Sequence, residues 1–376
     1  MYRRTRIHSL LLLLSVVSLA LGCSDNTNRL PSAPDVRMNN VQYLGTHNSY
    51  HLAPREDVFE VLLAFIPDVA PTLDYTHRPL TEQLELLGIR QFELDVFDDP
   101  EGGLYANRNA LALFDEPVAS GIPELDEPGL KVIHVQEIDY RTTCYTLVSC
   151  LEEIKAWSDA NPNHLPITIL IETKDEAIPD PVNLGFVVPL PIGEAALDRV
   201  DAEIRSVFPD NRLILPDHVR GDAPTLENAI LTRGWPPLSW ARGRVMFALD
   251  NGGETRDLYI AGHPSLAGRV MFTDSPEGSA EAAFMKKNNP LATPGEIAGL
   301  VEKGYIVRTR ADADTTQSRE NDTTQREAAL GSGAQLISTD YPEPDTRFSD
   351  YQVTIPGGDI ARCNPVAAGA CIPEAL

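Results

Sequence analysis

Two hydrophobic patterns alternate along the chain. Short apolar or alternating runs of strand length recur at "VQYLGT", "RQFELDV", "KVIHVQ", "ITILIET", "RVMFALD", "RVMFTD", "YIVRTR" and "AQLISTD". Segments of helical period lie between them. In "LVSCLEEIKAW" residues Leu147, Cys150, Leu151, Ile154 and Trp157 share one face, and "EAALDRVDAEIRSVF" and "REAALG" read the same way. Strands alternating with helices predict a parallel sheet with crossover connections. Eight such units in about 340 residues predict an α/β protein of the closed (β/α)8, or TIM-barrel, type. An open doubly wound sheet is the alternative, but no glycine-rich phosphate fingerprint follows the first strand.

The ends of the chain break this alternation. Residues 1–22 carry Arg3, Arg4 and Arg6, then an apolar run from Leu10 to Leu21, which is the pattern of an export signal. Gly22-Cys23 after it resembles a bacterial lipoprotein processing site with Cys23 acylated; plain secretion is the other reading. A polar linker is expected over 23–40, the barrel over 41–350, and a tail over 351–376. The remaining cysteines allow three connectivities, and the short spacings favour Cys144–Cys150 and Cys363–Cys371 in an oxidising compartment. In "DVFEVLLAFIPDVA", Phe59, Leu62, Leu63 and Ile66 stand at i, i+3, i+4 and i+7. They read either as helix packing on the barrel or as an apolar lip against a membrane.

Hydrophobic content of 43% and charged content of 23% suit a chain that buries a sizeable core. The formal charge of −24 argues against nucleic acid as a partner. Loss of residues 1–22 removes three arginines and no acids, taking that charge to −27.

The candidate chemistry gathers at strand ends. In "RQFELDVFDD" the strand period puts Glu93 and Asp95 on one face, a metal site or a wetted edge. His134 sits in "KVIHVQ" between Ile133 and Val135, where a hydrogen-bonded core histidine is the plainer reading. "ITILIETKD" places Glu172 after a buried run with Lys174 on its face, which an ion pair would explain. "VQYLGTHNSYH" sets His47 and Asn48 after Gly45. Taken together, Asn48, Glu93, Asp95 and Glu172 form an oxygen-only donor set of formal charge −3. Ca2+ suits that set better than Mg2+, and the two histidines are left for proton transfer.

"THNSYH", "GIRQFELDVFDD", "KVIHVQEIDYRTTC", "ILIETKD", "RTRADADT" and "GAQLISTDYP" resemble, in order over about 41–345, the phosphoinositide-specific phospholipase C superfamily. The resemblance is to its bacterial, calcium-dependent branch, a PLC-like phosphodiesterase TIM barrel. It implies His47 and His134 as the catalytic pair, and Asn48, Glu93, Asp95 and Glu172 as calcium ligands. It also implies a head-group contact from Lys174, and position at the ends of the seventh and eighth strands adds Arg310 and Tyr341 to the expected substrate contacts. The implied activity is cleavage of phosphatidylinositol-type phospholipids at a membrane surface by an exported monomer, anchored or secreted. Two other readings stay open. A glycerophosphodiester phosphodiesterase shares the barrel, but its usual His-Arg-Gly opening differs from His47-Asn48-Ser49. A non-catalytic surface lipoprotein could also keep the barrel.

Overall fold

The computed structural model describes residues 36–292, 295–367, 371, 373 and 376. The expected leader over 1–22, the Cys23 site and most of the 23–40 linker lie outside the described residues. The packed chain starts before position 41, with Val36 and Met38 buried in the core.

Among the described residues the strands are β1 (Val41–Thr46), β2 (Gln91–Phe97), β3 (Lys131–Val132), β4 (Ile167–Lys174), β5 (Leu213–Ile214), β6 (Val245–Leu249), β7 (Met271–Thr273), β8 (Phe284–Lys286), β9 (Ile306–Arg310), β10 (Leu336–Thr339) and β11 (Ala361–Cys363). A curled parallel sheet runs β7-β6-β4-β2-β1-β10-β9-β8. Its two ends meet at one isolated parallel bridge, Asp274 to Phe284. That seam is thin because β7 and β8 follow each other too closely to hold a crossover helix.

Seven of the eight expected strands are ring strands, and one is not. "KVIHVQ" is strand only at β3, which pairs antiparallel with Val96 and Phe97 at the end of β2. The chain beyond it folds into a tight turn, with Val135 and Asp139 bridged and Glu137 at φ 71°. The apolar alternation there reflects burial of Val132 in β3 and of Ile133 in the loop that follows it. The eighth ring strand is instead β8, from "AAFMKK", whose alanines and lysines carry little β-branched signal.

Helices cover the ring: α1 (Glu56–Phe65), α2 (Leu80–Leu86), α3 (Leu147–Ala160) and α4 (Glu194–Val207) among them. The α3 residues Leu147, Cys150, Leu151 and Ile154 are buried as their period requires. In α1, Leu62 is buried, and Phe59 and Ile66 pack with it against Phe114 and Ile138. Leu63 is 39% and Phe65 78% exposed, so packing accounts for part of that apolar face only. Cys144–Cys150 and Cys363–Cys371 are both disulfide-bonded. The first ties the loop to α3, and β11 pairs antiparallel with β1. Among the described residues no helix is long and apolar enough to cross a membrane.

The long connection between β2 and β3 packs Tyr105 and Leu125 against Phe97 and Ile133. Glu137 accepts from the Ala110 and Val187 backbones, so this loop buttresses the turn that carries His134.

Candidate active site

The C-terminal end of the ring is polar because inward residues of neighbouring strands converge there. Leu94 and Val96 of β2 lie in the apolar core while Glu93 and Asp95 occupy the alternate positions. Parallel register sets Asp95 opposite Glu172. Asp250, the residue after β6, brings a carboxylate oxygen within 4.8 Å of oxygens from Glu93 and Glu172.

The turn after β1 is clipped onto β2. Ser49 N–H donates to the Glu93 carbonyl, and Ser49 Oγ accepts from Glu93 N–H, both at 2.9 Å. Asn48 adopts φ 42°, a left-handed conformation that asparagine tolerates. Its Nδ2 donates to the Tyr75 hydroxyl at 3.0 Å, and its Oδ1 is buried without a hydrogen-bond partner.

His47 is held between unlike neighbours. Nδ1 lies 2.8 Å from Asp340 Oδ1, an acceptor, so Nδ1 carries the proton. Arg310 Nη1, which can only donate, lies 3.2 Å from Nε2. Nε2 therefore presents its lone pair, with Glu93 Oε1 3.8 Å away. Burial and then Arg310 hold the His47 pKa well below its usual value, against the pull of Asp340. His134 Nδ1 sits 2.6 Å from Asp139 Oδ2. Burial would raise the Asp139 pKa, but His51 and His134 outweigh it and lower that pKa to about 2.

The carboxylates are partly compensated. Glu93 is ion-paired with Arg308 inside the ring, and Asp250 with Lys286. Lys174 Nζ lies 3.2 Å from Asp95 and 3.7 Å from Glu172. Four carboxylates against three cations leave a formal balance of −1, less than the −3 expected from three acids alone. Burial, helped by repulsion from neighbouring carboxylates, raises the pKa of both Glu93 and Asp95. Oδ1 of Asn48, Asp95 and Asp250 are all buried without a hydrogen-bond partner. Crowded carboxylates with unpartnered oxygens are what a hard divalent cation relieves, so the donor set fits calcium.

The structure thus gathers Asn48, Glu93, Asp95, Glu172 and Lys174 at one mouth with His47 and Arg310, and sets His134 on its Asp139 pair. Tyr341 is not brought in. Its ring packs edge-on against Tyr351, is 2% exposed, and belongs to the core. Residues beyond the expected set are Asp340, Asp139, His51, Arg308, Asp250 and Lys286. Asp250 and Asp340 close strand runs in the same way as Glu172, a signal that was available. Asp139 and His51 lie in turns, where no period marks them.

The model of the calcium-dependent phosphoinositide phospholipase C family matches residues 36–365. Among solved structures, a calcium-dependent phosphoinositol-specific phospholipase C from a Gram-negative Pseudomonas species, in a myo-inositol complex, is similar. It gives a TM-score of 0.51 at 17% identity over 89% of this chain and 97% of that one. A calcium-dependent phosphatidylinositol-specific phospholipase C from Streptomyces antibioticus gives 0.50 at 17% identity, over 82% and 95%. At these identities the likeness is one of fold. A search of curated proteins finds no match.

Proposed function

The chain belongs to the calcium-dependent phosphoinositide phospholipase C family, and from that premise we propose that it cleaves phosphatidylinositol-type phospholipids to diacylglycerol and a cyclic inositol phosphate. The observation that carries this reading is a pair of histidines, each held at Nδ1 by a buried aspartate, in a barrel whose mouth holds a carboxylate cluster.

Asn48, Glu93, Asp95 and Glu172, with Asp250 beside them, would hold the cation. Bound calcium supplies Lewis acidity, lowering the pKa of a sugar hydroxyl and offsetting phosphoryl charge. An arriving phosphodiester offers Arg310 an anionic partner and frees Nε2 of His47. That nitrogen then takes the proton of the inositol 2-hydroxyl as its oxygen attacks the phosphorus. The resulting imidazolium, backed by Asp340, sits beside the phosphoryl oxygens and offsets the charge that develops on them. His134, its Nδ1–H on Asp139, gives a proton from Nε2 to the departing glycerol oxygen as the P–O bond breaks. Lys174 and Arg310 are the head-group contacts, and Tyr341 supports the barrel wall.

The leader and the two disulfides support an exported chain, either lipid-anchored through Cys23 or secreted. The expected monomer at a membrane surface follows from the resemblance alone.

The test is hydrolysis of phosphatidylinositol against glycerophosphodiesters, with calcium, magnesium or chelator. Phosphatidylinositol should be preferred, chelator should abolish turnover, and calcium should restore it better than magnesium. Calorimetric titration should show calcium binding that weakens in Glu93→Gln. Full activity in excess chelator would remove calcium from the reading. Preference for glycerophosphodiesters would replace the substrate.

A further inference from the structure

The turn that carries His47 and Asn48 is splinted by residues 75–77, which follow the 3-10 turn Ala70–Leu73. His77 donates from its backbone N–H to the His51 carbonyl at 2.9 Å, and from Nε2 to the His47 carbonyl at 2.8 Å. The Tyr75 carbonyl lies 3.0 Å from His51 Nδ1. The Tyr75 ring is buried, stacks on the His51 ring at 4.2 Å and meets the His77 ring edge-on at 5.5 Å. Its hydroxyl is thereby fixed in place, and it accepts from Asn48 Nδ2 at 3.0 Å. The Asn48 backbone is pinned as well. Its carbonyl accepts from His51 N–H at 2.8 Å, and the next residue, Ser49, is clipped to β2. What the backbone leaves open is which end of the side-chain amide points which way. Asn48 is buried, so both ends are out of water. The nitrogen end is on Tyr75, and Oδ1 has no hydrogen-bond partner.

We propose that Tyr75 is a positioning residue for the cation, its hydroxyl holding the nitrogen end of the Asn48 amide so that Oδ1 is the end left for the metal. This rests on the reading of Asn48 as a calcium ligand. An asparagine amide binds a hard cation through its oxygen only, because Nδ2 offers two donors and no acceptor. Ligation by Oδ1 therefore commits Nδ2 to the opposite side. A buried donor without an acceptor there costs the full desolvation of that group, and the Tyr75 hydroxyl is the acceptor. A hydroxyl can also donate, so it could pair with Oδ1 of a reversed amide, but the nitrogen would then be the free end. Only the pairing present in the structure keeps the oxygen available. In Tyr75→Phe the ring can still stack on His51, yet calcium bound by Oδ1 would leave Nδ2 unpaired. The loss then falls on metal affinity.

Two measurements on the full chain test this. In the metal-free wild-type protein, NMR should show Overhauser contacts between the Asn48 side-chain amide hydrogens and the Tyr75 ring hydrogens beside the hydroxyl. Their absence would overturn the proposal whatever the metal or substrate proves to be. The second is calorimetric calcium titration of wild type, Tyr75→Phe, Asn48→Asp and the double variant, with circular dichroism as a fold control. Tyr75→Phe should weaken calcium binding about tenfold. Asn48→Asp puts an oxygen at both ends of the side chain, so no end needs choosing. Adding Tyr75→Phe to it should change the affinity no more than about twofold. An unchanged affinity in Tyr75→Phe, or an equal loss in both backgrounds, would reduce Tyr75 to a packing residue and overturn the proposal. No calcium binding by wild type, with the Overhauser contacts present, would instead overturn the calcium reading, and the proposal with it.

Discussion

At the scale of the residue, His47 is an acceptor at Nε2 only because its two neighbours differ in kind. Asp340 fixes the hydrogen on Nδ1, and Arg310, facing the other nitrogen, disfavours a second one. Asp340 is itself fixed, because its backbone N–H donates to Asp312 Oδ1 at 2.8 Å and Arg310 Nη2 reaches its Oδ2 at 3.0 Å. Asp340→Asn keeps the shape but lets the ring adopt the opposite tautomer, with the hydrogen on Nε2. The expected loss in kcat on phosphatidylinositol is on the order of 10²–10⁴-fold, with KM changed little. Steady-state kinetics with circular dichroism as a fold control checks this. A variant within threefold of wild type would take proton acceptance away from His47 and give it to a carboxylate.

The element that sets the site geometry is the junction of β1 and β2. Those strands share one register pair, Gly45 with Gln91, before the Ser49 clip takes over. A methyl group on Gly45 would come within 2.6 Å of the Gln91 Cβ, a contact that side-chain rotation cannot relieve. Glycine is needed there for close approach, since the position has no positive φ to demand it. Gly45→Ala should push β1 from β2 and carry His47 and Asn48 away from Glu93. Overpacking of this kind costs about 1–3 kcal/mol. Thermal melting should therefore show a lower Tm, and calorimetry a weaker calcium affinity in the same protein. An unchanged Tm would mean that the two strands are not held as closely as this.

Across the whole molecule the acidic excess bears on the proposed substrate. On the function proposed above, a chain of formal charge −24 works at a bilayer that presents anionic phosphatidylinositol, and the two repel. The Debye length falls from about 30 Å at 0.01 M salt to about 8 Å at 0.15 M. At fixed free calcium, initial rates on phosphatidylinositol vesicles should rise several-fold over that range. Rates on a soluble short-chain substrate should stay nearly flat. A vesicle rate that falls with salt would reveal a basic docking patch that the net charge conceals.

The amino-acid sequence by itself determined the class of fold and offered most of the oxygen donors of the candidate site, though not Asp250. Alternating strand and helix periods called for a parallel α/β sheet, with eight units favouring a closed ring over an open one, and period-2 alternation put Glu93 and Asp95 on one face whatever the strand paired with. Cysteine spacings of 6 and 8 residues admitted the two local disulfides that are present. What only the tertiary structure decided were the relations between residues far apart in the chain. "KVIHVQ" alternates like a strand, but its partner is the end of β2 in antiparallel pairing, and β8 completes the ring with almost no signal of its own. Arg308 and Glu93 are separated by 215 positions, and His47 and Asp340 by 293. No local pattern encodes such pairs, because ring closure brings them together. Tyr341 shows the converse. It follows a strand end just as Asp340 does, yet one residue of alternation turns its ring into the core and leaves Asp340 facing His47.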